Sequence, residues 1–138
     1  LLNELKKEIN FTAVDPENLF QTNCDIVSPC ALGKAINIKN RNQLKCAAIV
    51  GAANNQLDST ETAKWLFNNK IVYSPDYLVN SGGVIAIAAE INKRENLIDQ
   101  HLNEISSRLE SVLLESKENN IPTDFVAKRI ALERINNS

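Results

Sequence analysis

Four short apolar runs constrain this chain more than anything else in it: "TAV" at 12–14, "CDIV" at 24–27, "CAAIVGA" at 46–52 and "KIVY" at 70–73. None shows the clean period-two alternation of a strand with one wet face, and the stretches between the later ones are long enough to hold helices. Short apolar strands alternating with helices are the pattern of a parallel sheet covered on both sides. The expected class is therefore α/β, with a parallel sheet of about four strands flanked by helices.

Helical spacing fills most of the remainder. Leu1, Leu2, Leu5 and Ile9 fall on one face of a helix at the start. In "LDSTETAKWLFNNK", Asp58 and Glu61 stand at capping-box spacing, predicting a helix to about Asn69 whose Trp65 and Leu66 pack on the sheet. From Gly82 the pattern is wholly helical. Val84, Ile85, Ile87, Ala88 and Ile91 come first, and Leu97, His101, Ile105, Leu109 and Val112 then form a stripe. After a stop at "KENN" a last helix starts at "IPTDF", with Pro122 tolerated in a first turn, and carries Val126, Ile130 and Ile135.

Several functions are disfavoured by composition. Fifteen basic residues against 17 acidic ones, with no cluster of Lys and Arg, do not make a groove for nucleic acid. No apolar run reaches the roughly 18 residues of a membrane span, and the start has no signal-peptide pattern, so a soluble, cytoplasmic protein is expected. A length of 138 residues fits one domain. Cys24, Cys30 and Cys46 lack the close-paired spacing of a zinc site and the one histidine, His101, is far away, so no metal is expected. The cysteines are assigned to packing, with Cys30 the exception left open.

Ligands of an open parallel sheet bind beyond the carboxyl ends of its strands. Three stretches fall there: "SPCALG" (28–33), "GAANNQ" (51–56) and "SPDYLVNSGG" (74–83). Each joins small residues, which let a backbone come close, to side chains that make directed hydrogen bonds. An isolated Asn-Asn pair would ordinarily be a turn plus a helix cap. Here Asp58 already supplies a cap, and Asn80 repeats the motif before Gly82 and Gly83 at the head of a long helix. Three amides at matching strand ends point to binding. A carboxamide donates and accepts at once, which suits another carboxamide or a ribose hydroxyl.

The series "CDIVSPCALG", "KCAAIVGAANNQL" and "IVYSPDYLVNSGGVIAIAAE", with the closing "VAKRIALERI", resembles the nucleotide-binding domain of leucine dehydrogenase and its glutamate, valine and phenylalanine dehydrogenase relatives. The resemblance covers nearly the whole chain. It implies an incomplete Rossmann-like sheet in residues 1–93, without the first two strands and the G-x-G-x-x-G turn of that fold, followed by a C-terminal helical segment in 94–138 that packs back on it. It also implies NAD as cofactor, reversible oxidative deamination of an apolar L-amino acid to its 2-keto acid, and a homo-oligomer. Carried onto this chain, Pro29, Cys30, Ala31, Asn54 and Asn80 would touch the cofactor, Asn80 at the nicotinamide carboxamide. Asn55, Val84 and Ile87 would face the substrate, and no residue here would be the catalytic acid or base. The chain departs from the family in one place: leucine-type members read "GGVINVADE" where this one reads "GGVIAIAAE", so Ile87 replaces a valine.

Two rivals remain at this point. A non-enzymatic interaction module would account for the helices beyond residue 95 but not for the polar strand ends. A Cys30 nucleophile would need a base beside it, and His101 lies on the tail stripe.

Overall fold

The structure, a computed structural model, describes residues 2–137, with side chains from residue 4 onward. Leu1 and the side chain of Leu2, both part of the predicted opening face, lie outside the described residues. The predicted opening helix is α1 (Leu2–Glu8).

Three strands form one parallel sheet in the order β1 (Ile26–Val27), β2 (Ala48–Ile49), β3 (Val72–Tyr73). The register pairs Ile26 with Ala48 and Ala48 with Val72. "CDIV", "CAAIVGA" and "KIVY" are thus strands, while "TAV" is not: residues 12–14 are irregular, and the sheet has three strands rather than four. A strand exists by its ladder, and among the described residues nothing pairs with 12–14. The outer edge of β1 is likewise unpaired there, and Ile26 is 55% exposed. A single parallel bridge, Ile36 to Leu57, extends the order beyond the strands.

The β2–β3 crossover holds α2 (Thr60–Asn68), which ends where the spacing predicts. Its cap lies one residue later than expected. The Ser59 hydroxyl, not Asp58, accepts the Thr62 N–H at 3.3 Å, and Asp58 instead braces the turn, accepting from the Thr62 hydroxyl at 2.6 Å and from Ile38 N at 3.1 Å. Leu66 is fully buried with Ile36, Ile49, Ile71 and Tyr73, and Trp65 packs against that cluster. Each such aliphatic side chain contributes about 1.5 to 3 kcal/mol by leaving water.

After β3 come a short turn of helix, α3 (Asp76–Val79), then α4 (Gly82–Ile91), α5 (Ile98–Asn119) and α6 (Thr123–Asn136). The α5–α6 hairpin turns through Asn120 in the left-handed conformation, at φ 55°. Val112, Val126 and Ala127 form its core, with Leu78 and Ile130 against it. Ile135 does not join them and is 70% exposed. Nine residues past Val126, at about 100° per residue, it stands on the opposite side of α6. The hairpin is tied to the sheet where the Thr123 hydroxyl donates to Tyr73 O at 2.5 Å. Among the described residues no helix is long and apolar enough to cross a membrane.

Packing does not explain all three cysteines. Cys46 is half-buried against the core, but Cys24 and Cys30 are exposed. Cys24 precedes β1, whose outer edge is unpaired among the described residues.

Candidate functional site

The carboxyl ends of β1, β2 and β3 converge as the sequence predicts, and main-chain contacts draw them tight. Ala53 N–H donates to Pro29 O at 2.9 Å, and Lys34 N–H to Asn55 O at 2.6 Å. Two glycines permit this approach. A Cβ on Gly51 would lie 2.2 Å from Pro29 O, and one on Gly33 would lie 2.9 Å from Asn54 O. Neither has positive φ, so close approach and not backbone freedom selects glycine at both positions.

Asn54 and Asn80 meet directly. The Asn80 Nδ2 group donates to Ala52 O at 2.6 Å and to Asn54 Oδ1 at 2.9 Å. Both of its protons are engaged, so what Asn80 can still offer is its Oδ1 acceptor. The Asn54 oxygen is also engaged, which leaves its Nδ2 donor. Neither remaining group has a hydrogen-bond partner among the described residues. One free donor beside one free acceptor is complementary to a carboxamide.

Asn55 takes part through its backbone. It is left-handed at φ 53°, and its N–H donates to Asp76 Oδ2 at 2.7 Å. The other Asp76 oxygen accepts from the buried Tyr73 hydroxyl at 2.6 Å. Burial, and then the Asp76 carboxylate beside it, push the Tyr73 phenol well above its ordinary range, so it stays a donor. Gln56 is fully buried and donates to Gly51 O at 2.7 Å and Ala53 O at 2.9 Å, bracing the loop from within. Its Oε1 has no partner among the described residues.

On the β1 side Pro29 is buried while Cys30 and Ala31 are exposed. The three line a groove of about 340 Å³ that runs along the free β1 edge past Ile26 and Leu32. Cys30 Sγ is 3.4 Å from Ser28 Oγ. The Ser28 hydroxyl, and then the Ala52 main chain, hold the Cys30 thiol below its ordinary value. No imidazole supports a nucleophilic cysteine: His101, on α5, faces Glu104 at 3.6 Å.

Val84 and Ile87 share a face of α4, the helix that begins two residues after Asn80, and are 70% and 59% exposed. Ile91 continues that face at 75% exposed, and the buried Ala89 lies opposite. Among the described residues no side chain buries them.

A larger apolar cavity, about 410 Å³ between α2, β3 and the α5–α6 turn, contains none of the predicted residues. Its hydroxyls at Ser116 and Thr123 are already committed to Ile121 O and Tyr73 O. Its remaining polar lining includes Lys70, Lys117 and Asn120. Among the described residues no group of three or more His, Cys, Asp or Glu side chains could hold a metal ion.

Sequence reasoning missed Asp76, Tyr73, Gln56 and Gly51. "SPDY" reads as a polar loop, and no local spacing says that its carboxylate turns back 21 residues to Asn55. Only Gly51, a glycine ending an apolar run, carried a readable sign of close backbone approach.

A model of the glutamate/leucine/phenylalanine/valine dehydrogenase family matches residues 2–136. The chain is 43% identical over 126 residues to leucine dehydrogenase of Bacillus subtilis (strain 168), covering 89% of the chain and 34% of that relative. The crystal structure of L-tryptophan dehydrogenase from Nostoc punctiforme superposes with a TM-score of 0.89 at 34% identity, covering 98% of this chain and 42% of that one. The hetero-hexameric glutamate dehydrogenase of Thermus thermophilus shares the fold, with a TM-score of 0.71 at 20% identity over 96% of this chain and 34% of that one. The chain thus spans between a third and a half of the length of these proteins.

Proposed function

Because the chain belongs to the glutamate/leucine/phenylalanine/valine dehydrogenase family, we propose that it is the nicotinamide-side part of an NAD-dependent amino-acid dehydrogenase acting on branched-chain L-amino acids. The observation that carries this reading is the pairing of Asn54 Nδ2, a free donor, with Asn80 Oδ1, a free acceptor, beside glycines that let a ligand reach the backbone. A nicotinamide carboxamide offers the complementary acceptor and donor. Pro29, Cys30 and Ala31 line the cofactor's ribose side, and Asn55, Val84 and Ile87 face the amino acid. When bound, the nicotinamide supplies the hydride acceptor for oxidation at the amino acid's Cα.

This chain's own residues then bind and orient. Among the described residues Asp76 is the one carboxylate bonded to the cluster, and both its oxygens are engaged. The acid-base step is accordingly assigned to residues outside this chain. Residues 1–93 are the nucleotide-binding part and 94–138 the helical C-terminal part. The exposed Leu132 and Ile135 of α6 support a homo-oligomer, and the reading includes a cytoplasmic enzyme.

The test is NADH binding by the full-length protein, followed by fluorescence titration. Asn80→Ala should weaken it by about 1 to 3 kcal/mol, the cost of leaving a partner unsatisfied. Asn80→Asp should do more harm, because it turns a carboxylate toward Ala52 O and Asn54 Oδ1, both acceptors. Unchanged affinity in both variants would refute the assigned role.

A further inference from the structure

Asp76 opens α3 at 8% exposure, and each polar group that it turns toward the amide cluster is bonded. Oδ2 accepts the Asn55 N–H at 2.7 Å and Oδ1 the Tyr73 hydroxyl at 2.6 Å, while the main-chain oxygen accepts the Asn80 N–H at 2.8 Å. Its own N–H donates to the Tyr73 hydroxyl at 3.3 Å. One residue is therefore bonded to Asn55, the neighbour of Asn54, and to Asn80. These bonds do not merely fill space. Asn55 is left-handed, a conformation that glycine takes freely and asparagine at a smaller cost than most residues, and one that its surroundings help to hold. A charge-assisted bond from a buried carboxylate to its N–H does this, and burial leaves little water to replace it.

We propose that Asp76, oriented by the Tyr73 hydroxyl, is a positioning residue: it holds the left-handed turn at Asn55 and the chain at Asn80 so that Asn54 Nδ2 and Asn80 Oδ1 face the ligand together. This rests on the carboxamide-binding reading above. Asp76 touches neither cofactor nor substrate. Its effect falls on cofactor affinity, and so on the cofactor KM more than on kcat.

The experiment uses the full-length protein, with NADH Kd from fluorescence titration and amide hydrogen exchange at Asn55 without cofactor. Asp76→Ala should speed Asn55 exchange and raise the NADH Kd about tenfold or more, the effect of one unmade charge-assisted bond. Asp76→Asn should recover most of the affinity, since its Oδ1 still accepts the Asn55 N–H while its Nδ2 donates to the Tyr73 hydroxyl. In the Asn55→Gly background, Asp76→Ala should raise Kd by a smaller factor, because glycine takes positive φ unaided. A merely structural carboxylate would show neither that coupling nor the rescue. Should Asp76→Ala fail to fold, Tyr73→Phe carries the test, with a several-fold higher Kd expected. The proposal is overturned by an unchanged Kd in Asp76→Ala or Tyr73→Phe, or by the same factor in both Asn55 backgrounds. An unsubstituted protein that binds no NADH would overturn the carboxamide reading and this proposal with it. Binding that Asp76→Ala leaves unchanged overturns this proposal alone.

Discussion

Adding one methyl group at Gly51 should unfold this chain more readily than emptying most core positions would. The ideal Cβ would sit 2.2 Å from Pro29 O, 2.6 Å from Pro29 N and 2.7 Å from Pro29 Cδ. All three belong to the backbone or the proline ring, so no flexible side chain can swing away. Relief requires β1 and β2 to part by about 1 Å at their carboxyl ends, where contacts of 3.4 Å or more are ordinary. That movement strains the two bonds flanking the contact, Val50 N to Val27 O at 3.1 Å and Ala53 N to Pro29 O at 2.9 Å. Overpacking costs about 1 to 3 kcal/mol and each lost main-chain bond about 1 kcal/mol, together about 3 to 5 kcal/mol. In a chain of this length each kcal/mol moves the midpoint by roughly 3 to 4 °C, so Gly51→Ala should melt roughly 10 °C or more below the unsubstituted chain. Gly83 supplies the opposite case. It lies in the first turn of α4 with nothing within 4 Å of its ideal Cβ, and alanine is the better helix former by about 0.5 to 1 kcal/mol. Gly83→Ala should melt at the same temperature or slightly higher. The assay is thermal unfolding by circular dichroism under identical conditions. A Gly51→Ala chain within about 2 °C of the unsubstituted one would refute the steric reasoning.

Two further outcomes follow from the site. The lowered Cys30 thiol has more thiolate at any pH below its ordinary value, so iodoacetamide should alkylate it at lower pH than Cys46, whose thiol burial pushes up. Ser28→Ala should move the Cys30 profile upward in pH, and coincident profiles before and after the substitution would remove the hydroxyl as the cause. Ile87→Val, which shortens an exposed side chain on the α4 face assigned to substrate, should shift the leucine-to-valine ratio of kcat/KM toward leucine in the full-length protein. The shift should be about 10-fold or more, and a ratio that does not move would take Ile87 away from the substrate.

Local patterns sufficed wherever the deciding interaction lies within a few residues. The 3.6-residue spacing located α2 and the long helices from Gly82 onward, because each helix closes its own hydrogen bonds. Short apolar runs located β1, β2 and β3, although the expected cover on both faces is not met: Ile49 and Tyr73 are buried on one face, while Ile26 and Val72 on the other are about half-exposed. Family membership was legible too, since the motifs that carry it are contiguous. The amides at 54, 55 and 80 stood out by their places at strand ends, and the fold then brought Asn54 within 2.9 Å of Asn80.

Tertiary structure decided what depends on a partner far along the chain. "TAV" has a strand's composition but no neighbour to bond among the described residues, and a ladder needs two sides. Cys24 looks like a buried hydrophobe, yet it is exposed and precedes β1, an edge strand among the described residues. Asp58 has a cap's chemistry, but the backbone presents Thr62 N–H to Ser59 instead. Asp76 resembles any loop aspartate until the turn at Asn55 is folded against it, 21 residues away. Composition and spacing record which groups a chain owns and which can meet within a turn or two. Which donor meets which acceptor across the sheet is set only when the strands stack, because burial removes the water that would otherwise satisfy each of them separately.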